Sequence, residues 1–322
     1  MEFRNDKYSQ LQKLIIFIWV LIITGCARYV PEEYIKPAPE NTSVDKLIAQ
    51  FYGTSSVLLS DEHNSVLIDG FVTRESLPSS IISRMKTNKD AIGFIDKKTI
   101  DVVLVAHSHF DHAKDSAAVA NAKKAKLIGS PRTLKIVDAN NEQLITSNKM
   151  LTIGNFKVSF IPSDHVKKSF SKKALEKLFL YLSFSPKFIK SDDIYSFYIN
   201  HPQAKILIVP SANFPENWAT SNNIKVDTVF LSIGLLGEQP SDYLVKYWKS
   251  TVVDTCAKTV IPIHWDDFRV PLSEPLEVTP DIITNISKAM KSLDALAQIP
   301  ICNGHKPNIL FPKARVPFLL DF

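Results

Sequence analysis

Four side chains that can bind a metal ion lie within six consecutive positions. His107, His109, Asp111 and His112 follow the apolar run "DVVLVA" (101–106), although the whole chain has only eight histidines. In an extended segment, residues two positions apart point to the same side, so His107, His109 and Asp111 share one face. Imidazole nitrogens together with a carboxylate suit zinc and similar cations. The spacing therefore predicts a metal site, and the alternative is a surface loop with coincidental histidines.

The neighbouring segments predict a strand before this cluster and a helix after it. "DVVLVA" is a continuous apolar run, typical of a buried strand, and the alanine-rich segment 112–125 indicates a helix. Upstream, "SSVLLS" and "SVLIDGF" flank "DEHN", which predicts a β-hairpin. Further strands are expected at 126–130, 156–162, 195–200, 204–210, 227–234 and 259–264, and helices at 241–257 and 279–298, the latter with Thr279 as its N-cap. Strands that occur both consecutively and between helices favour an α/β fold with two sheets covered by helices.

The composition is that of an ordinary globular protein. The chain has 322 residues, of which 45% are hydrophobic and 22% are charged, with a formal net charge of +5. This mild charge, without a basic stripe interleaved with aromatic residues, does not predict nucleic-acid binding. The sequence contains no P-loop, no G-x-S-x-G elbow and no dinucleotide fingerprint. In the absence of these motifs, hydrolysis by metal-bound water is the simplest hypothesis for the histidine cluster.

The N-terminal segment predicts export and membrane attachment. "LIIFIWVLIITG" (14–25) is uncharged but shorter than the ~20 residues that span a bilayer, which is typical of a secretory signal. It ends in Gly25 and Cys26, and this junction resembles the lipobox of bacterial lipoproteins. We therefore predict a signal peptide over 1–25, a lipidated tether over 26–47 that begins at Cys26, and a folded domain over 48–322. This places the protein in the cell envelope, anchored to a membrane and facing outside the cytoplasm; the alternative is an uncleaved N-terminal anchor.

Two further cysteines, Cys256 and Cys302, lie in the predicted folded domain. An oxidising compartment permits a disulfide between them, but spacing along the chain does not show whether their Cα atoms are close enough. We interpret them from the sequence as buried free thiols.

The strand followed by H-S-H-F-D-H resembles the signature of the metallo-β-lactamase superfamily. The resemblance extends over nearly all of the chain after residue 48, through "LIDGF", "IPSDHV" and "VIPIHW". It implies a four-layer αββα sandwich with a metal site at one edge of the two sheets. Because this fold serves many chemistries, it says little about the substrate, and β-lactamase activity itself is not expected.

The resemblance also implies a ligand set for zinc, as one or two ions, with manganese or iron as alternatives. His107, His109 and His165 match the ligands of a first metal, and Asp111, His112 and His264 match those of a second. Asp111 is also the expected catalytic residue, which takes the proton of the nucleophile, and Asp69 is expected to orient ligand imidazoles through their other N–H. Taken singly, His165 reads as a turn histidine and His264 as a satisfied core histidine.

One position departs from the family pattern. In dinuclear members the strand matching "AKILIVP" (204–210) ends in Gly-Asp, and that aspartate bridges both metals. Here the matching pair is Pro210 and Ser211, and a hydroxyl is a poorer bridge than a carboxylate. The second site is therefore weak, empty or completed by another group. Asp267 is the preferred candidate, with Asp266 and Asn213 nearby; the alternative is that both acids cap a turn or face solvent.

The predicted reaction is hydrolysis of an ester, lactone, amide or phosphodiester by metal-activated water. The segment 167–190 is rich in lysine and large apolar residues, so a small-molecule or lipid-like substrate is expected, broadly as in members of the N-acylphosphatidylethanolamine phospholipase D type. Arg74 is a candidate contact for an anionic substrate group, and the alternative is a structural salt bridge. The candidate apolar wall comprises Leu178, Phe179, Tyr181, Phe184 and Phe188; the alternative is an ordinary amphipathic helix.

Two other functional classes stay open. One is a catalytically degenerate envelope lipoprotein that binds a ligand or partner, which the serine at position 211 favours. The other, ranked last, is a metal oxidoreductase with the same ligands. The remaining histidines, His63, His201 and His305, are expected to have no ligand role.

Overall fold

The structure of the chain, a computed structural model, describes residues 30, 35–36, 46–74, 86–145, 149–167, 188 and 193–320. Over these residues two seven-stranded sheets pack against each other with helices on their outer faces. A separate parallel pair joins β1 (Ile35–Lys36) to β15 (Phe311–Pro312). The predicted α/β fold with an αββα arrangement is confirmed.

The first sheet contains the strand that precedes the histidine cluster. Its strands are β2 (Ile48–Phe51), β3 (Val57–Ser60), β4 (Ser65–Ile68), β5 (Val102–Leu104), β6 (Lys126–Gly129), β7 (Glu142–Leu144) and β16 (Phe318–Leu319), in the spatial order β16-β2-β3-β4-β5-β6-β7. β3 and β4 form the predicted hairpin, and β4 to β7 run parallel. All residues of β4 and β5 are buried, as expected for continuous apolar strands in the middle of a sheet.

The second sheet has the spatial order β14-β13-β12-β11-β10-β9-β8. Its strands are β8 (Leu151–Ile153), β9 (Phe156–Ser163), β10 (Ile194–His201), β11 (Ala204–Val209), β12 (Thr228–Ser232), β13 (Thr259–Ile263) and β14 (Asn308–Ile309). β8 to β11 pair antiparallel, and β11 to β14 pair parallel. The carboxyl ends of β9, β11, β12 and β13 therefore meet at one edge.

Eight short α-helices cover the sheets in the described part of the chain. They are α1 (Lys89–Ile92), α2 (Phe110–Ala113), α3 (Ser116–Lys123), α4 (Pro131–Ile136), α5 (Trp218–Ser221), α6 (Ser241–Trp248), α7 (Asp281–Thr284) and α8 (Ile286–Ala297). A π-helical turn, Lys249–Val253, extends α6, and 3₁₀ turns lie at Leu236–Glu238 and Cys302–Gly304.

The helix expected over 279–298 is interrupted, and the prediction of Thr279 as its N-cap was wrong because Pro280 holds that position in α7. Asn285 adopts a left-handed conformation (φ 47°) that ends α7, and its side chain accepts a hydrogen bond from Lys288 N–H to cap α8. The backbone N–H of Thr279 instead donates to the carbonyl of Trp265. Gly237 packs so closely on the carbonyl of Asn285 that a Cβ at Gly237 would lie 1.9 Å from that oxygen. The tertiary contact, which the helical pattern does not show, breaks the helix.

The N-terminal predictions lie largely outside the described residues. The signal segment, Cys26 and most of the tether are not among them. Within the described residues, we find no helix whose length and hydrophobicity would suit a bilayer span.

The reading of Cys256 and Cys302 as buried free thiols was wrong. The two residues form a disulfide with a Cα–Cα distance of 5.5 Å, and both are partly exposed. Cys256 follows the π-helical turn just before β13, and Cys302 lies in the 3₁₀ turn before β14. Because β13 and β14 pair in parallel, the segments that enter them lie side by side, and this brings together two cysteines that are 46 positions apart.

We expect loss of this disulfide to destabilise the fold. Closing a loop of this length restricts the unfolded chain, so Cys256→Ala with Cys302→Ala should lower the free energy of unfolding by about 2–4 kcal/mol in urea titrations. Mass spectrometry after alkylation without reductant should show neither cysteine labelled. Full labelling of both in the native, unreduced protein would contradict the assignment.

Candidate metal centre

Both sheets contribute side chains to one edge of the sandwich. In the first sheet, Asp69 follows β4 and His107 follows β5. In the second sheet, His165 follows β9 and His264 follows β13. Because these strands end at the same edge, residues far apart in sequence come together there. This edge is called the metal edge below.

Three imidazoles form the first donor group. One nitrogen each of His107, His109 and His165 lies within 4.8 Å of the others. His107 Nε2 is 3.1 Å from His109 Nδ1, and the rings of His109 and His165 have centroids 4.9 Å apart. His165 Nδ1 lies 2.8 Å from the carbonyl of Val166, so the lone pair of a neutral ring is on Nε2. Ligands about 2.1 Å from one zinc ion are at most about 4.2 Å apart, so small shifts fit this group to a cation.

Asp111, His112 and His264 form the second donor group, again with donor atoms within 4.8 Å of one another. Asp111 Oδ2 lies 3.0 Å from His264 Nε2 and 3.7 Å from His112 Nε2. The rings of His107 and His112 have centroids 3.9 Å apart, which places the two donor groups side by side. The six residues expected from the sequence as ligands therefore converge, and ligation itself stays a prediction.

The surroundings of Asp111 keep its carboxyl group ionised. Burial raises the pKa of Asp111, but His112 and His264 in their protonated forms, together with the hydrogen bond of His264, lower it more, so that it lies well below its usual range. At neutral pH the group is therefore a carboxylate that can bind a cation or accept a proton.

Asp69 orients His112 and fixes the backbone beside His107. Its Oδ2 lies 2.7 Å from His112 Nδ1, so that the lone pair of the ring is on Nε2, which faces Asp111. Its Oδ1 accepts a hydrogen bond from Ala106 N–H at 2.8 Å. The carbonyl of Ala106 in turn accepts one from Tyr195 N–H of the second sheet. This peptide is thereby held from both sheets immediately before His107.

Ser55 is a site residue that the sequence analysis missed. Its hydroxyl donates to Asp69 Oδ2 at 2.7 Å and lies 2.9 Å from His112 Nδ1, and its side chain is buried. Ser55 stands in the turn between β2 and β3. The sequence "GTSS" there indicates only a turn, because serines and a glycine are common turn residues.

His264 is held by its backbone and by the space around its ring. It adopts a left-handed conformation (φ 61°), and its N–H donates to the carbonyl of Thr54, which has φ 53°. A Cβ at Gly234 would lie 2.7 Å from His264 Nδ1, so only glycine leaves room for this ring. The sequence analysis missed Thr54 and Gly234, because their contacts form only when the two sheets meet.

Comparison with known proteins agrees with this geometry. The family model described as "Beta-lactamase superfamily domain" matches residues 49–183, which include the whole histidine cluster and His165. Residues 49–183 therefore resemble a β-lactamase superfamily domain. No curated protein sequence matches the chain.

Solved structures with the metallo-β-lactamase fold are similar in shape but distant in sequence. YhfI from Bacillus subtilis is 13% identical with a TM-score of 0.50, over 85% of this chain and 100% of that chain. The isothiocyanate hydrolase from Delia radicum gut bacteria is 12% identical with a TM-score of 0.51, over 85% and 99%. The diiron β-hydroxylase CmlA from Streptomyces venezuelae is 12% identical with a TM-score of 0.51, over 89% and 55%. These likenesses support the fold alone.

Arg74 forms a buried ion pair beside the metal edge. Its Nη1 lies 2.7 Å from Asp266 Oδ2, and both side chains are fully buried. Nη2 donates to the carbonyl of Tyr52, and Asp266 Oδ1 accepts from Thr54 N–H at 2.7 Å. The pair therefore locks the turn that binds His264. The alternative given from the sequence, a structural salt bridge, describes Arg74, and its expected contact with substrate has no support here.

The family pattern has a metal-bridging aspartate at the position of Ser211, and Asp267 is the residue expected to replace it. Asp267, the preferred replacement, has both carboxylate oxygens bound by Arg269, with Oδ1 2.8 Å from Arg269 Nε. This matches the alternative that it serves its own turn. Ser211 follows β11 at the metal edge and is buried; its Oγ has no hydrogen-bond partner within the described structure. Asn213 N–H donates to the carbonyl of Ser211, which folds this loop back on itself.

The other histidines make local contacts away from the two donor groups. His201 ends β10, and its Nε2 lies 3.3 Å from Asp61 Oδ2. His63 is exposed in the β3–β4 turn beside Glu62. His305 Nδ1 lies 2.7 Å from the carbonyl of Cys302. None of the three belongs to a donor group of the described residues.

We expect Ser55→Ala to weaken metal binding about tenfold, because residues that orient ligand imidazoles contribute to affinity. The measurement is the Kd for zinc in competition with a fluorescent chelator. Ser60→Ala, in the same hairpin, is the matched control. Equal affinities in the two variants would show that Ser55 does not support the site.

Arg74→Met should lower the free energy of unfolding by about 3–5 kcal/mol, because it leaves Asp266 as a buried, uncompensated charge. Lys258→Met, which removes an exposed partner of Asp227, should change it by less than about 1 kcal/mol. Denaturant titration measures both. A stable Arg74→Met protein that has lost only substrate affinity would restore the substrate role.

Proposed function

We propose that this protein is a metal-dependent hydrolase, with zinc as its ion and manganese or iron as alternatives. The observation that carries the proposal is the pair of adjacent donor groups at the metal edge. Together they offer five imidazoles and one carboxylate, a set that suits borderline divalent cations. His107, His109 and His165 would hold one ion, and Asp111, His112 and His264 a second.

The donor set determines the chemistry that such a centre supplies. A cation held mainly by neutral imidazoles keeps most of its charge, lowers the pKa of water toward 7 and polarises a carbonyl or phosphoryl oxygen. Asp111, ionised by its surroundings, is available to hold or accept the proton of the attacking group. Asp69 and Ser55 keep His112 in one tautomer throughout. We therefore infer hydrolysis of an ester, lactone, amide or phosphodiester.

A lipid-like substrate is the finer part of the proposal. It rests on the composition of segment 167–190, since the candidate wall residues other than Phe188 lie outside the described residues. Phe188 itself is buried and packs in the core. A buried Phe188 also agrees with the alternative, in which segment 167–190 is an amphipathic helix that packs on the sandwich. The assays therefore compare an acylated substrate with water-soluble ones.

The same proposal places the protein in the cell envelope, attached through lipidated Cys26. The disulfide between Cys256 and Cys302 supports this, because such bonds persist in oxidising compartments. The short apolar run that ends at Cys26 adds sequence support.

We expect His109→Ala to reduce bound zinc by about one equivalent and to lower turnover at least about 100-fold, because it removes a metal ligand. Metal content is measured by elemental analysis. Turnover is measured on p-nitrophenyl acetate, bis(p-nitrophenyl) phosphate and a fluorescent phospholipid. His63→Ala, an exposed histidine outside both groups, is the control. Unchanged turnover in His109→Ala would refute the hydrolase proposal.

A catalytically degenerate binding lipoprotein is the second candidate. It is favoured by Ser211, which occupies the sequence position where the family pattern implies a bridging aspartate, because a hydroxyl is a poorer metal bridge than a carboxylate. A native protein that purifies without metal and keeps its Tm when zinc is added would support this candidate. A rise in Tm with zinc concentration would support the metal centre, because a ligand that binds only the folded state stabilises it.

A further inference from the structure

A cavity that opens to solvent, with three exposed lysines in its lining, lies at the opposite end of the second sheet from the metal edge. It has a volume of about 380 Å³ and sits where the parallel strands β11, β12 and β13 begin. Its lining includes Lys205, Lys225, Asp227, Lys258 and His305. The disulfide between Cys256 and Cys302 forms part of the wall. This cavity is called the foot cavity below.

Positive charge exceeds negative charge in the foot cavity. Three lysines face one carboxylate, that of Asp227. Asp227 Oδ1 is paired with Lys258 Nζ at 3.2 Å, and Oδ2 accepts from the backbone N–H of Lys205 at 2.9 Å. The lysine ammonium groups thus outnumber the acidic partners in the lining.

The nearby carboxylate of Asp254 does not neutralise the excess positive charge of the foot cavity. Lys225 Nζ donates to the backbone carbonyl of Asp254 at 3.2 Å. The Asp254 carboxylate is bound by Lys249 Nζ at 2.7 and 2.9 Å, outside the cavity lining. Within the described residues, the hydrogen bond of Lys225 Nζ is thus to a neutral backbone oxygen and not to a carboxylate.

His305 forms part of the same wall. Its Nδ1 lies 2.7 Å from the carbonyl of Cys302, and its Nε2 lies 3.3 Å from the carbonyl of Ala257. These two backbone contacts fix the orientation of the ring beside the lysines.

The disulfide makes this arrangement rigid before any ligand arrives. It joins the segment that enters β13, with Lys258, to the turn that holds His305. The backbone from which these side chains project is thereby held in place, and a preorganised backbone favours affinity.

We propose that the foot cavity binds a phosphate-type anion, either free or carried by a phosphorylated small molecule or a phospholipid headgroup. Clustered lysine ammonium groups recognise such anions by charge-assisted hydrogen bonds. This site is separate from the metal edge, and the proposal does not depend on the hydrolase function.

The test compares the full-length wild type with Lys225→Glu/Lys258→Glu. Calorimetry with inorganic phosphate is run against chloride at equal ionic strength. The loss of two charge-assisted contacts should weaken phosphate binding at least about tenfold. Lys246→Glu/Lys291→Glu, which changes the same charge on exposed helical lysines elsewhere, should bind as the wild type does. Lys225→Gln/Lys258→Gln replaces the first variant if that protein does not fold.

Vesicle sedimentation separates the two sources of the anion. Binding to phosphatidylglycerol vesicles above phosphatidylcholine vesicles, lost in the foot-cavity variant but kept in the helical control, assigns a headgroup. Phosphate binding without that difference assigns a free anion. Phosphate binding that persists unchanged in the foot-cavity variant, or neither kind of binding in the wild type, overturns the proposal. Neither of these results bears on turnover at the metal edge.

Discussion

The carboxylate of Asp69 is the interaction on which the site depends. One buried side chain accepts from the Ala106 N–H, from Ser55 and from His112 Nδ1, so it fixes at once the peptide before the histidine cluster and the tautomer of a ring inside it. A buried carboxylate is costly unless its lone pairs are occupied, and here all its partners are donors. Asp69 also has a positive φ of 44°, a conformation that aspartate tolerates better than most residues, and this turns the chain sharply after β4.

The two sheets are joined at the metal edge by polar contacts as well as by the hydrophobic core. The carbonyl of Thr54, in the first sheet, holds the backbone of His264 from the second. The ion pair of Arg74 and Asp266 stabilises the same turn, because Asp266 accepts a hydrogen bond from Thr54 N–H. A Cβ at Gly53 would lie 1.9 Å from Arg74 Nη2, so glycine, with φ 85°, lets the ion pair reach this turn. The sandwich thus sets the distance between the donor groups through a few buried contacts of defined direction.

Local patterns were enough to predict the hairpin and the strands β3 to β6 and β9 to β13, but not the remaining, mostly shorter strands. The assignment of His165 and His264 as ligands rested on the family resemblance and stays a prediction. β4, β5 and β9 to β13 are apolar runs bounded by turn residues, and the His107–His112 cluster is dense enough to mark a metal site without structural data. Contacts between distant segments were not predictable in this way. Ser55, Gly234 and the left-handed Asn285 have common residue types in uninformative neighbourhoods, and their roles arise only when another element packs against them. The disulfide was misread for the same reason, because the pairing of β13 with β14 brings its cysteines together.

The direction of the parallel strands separates two kinds of site in the second sheet. At the carboxyl ends of β9 and β13 the chain presents His165 and His264, which join the His107–His112 cluster and its carboxylate in donor groups suited to a cation. At the amino ends of β11 to β13 it presents lysines whose acidic partners are already engaged, which attract an anion. The two sites lie at opposite ends of strands that are about five or six residues, or roughly 17–20 Å, long. At ionic strength near 0.15 M this exceeds the Debye length of about 8 Å, so an anion held at the foot cavity would leave the charge at the metal edge nearly unchanged. Any coupling between the two sites must therefore pass through the packing of the strands that connect them.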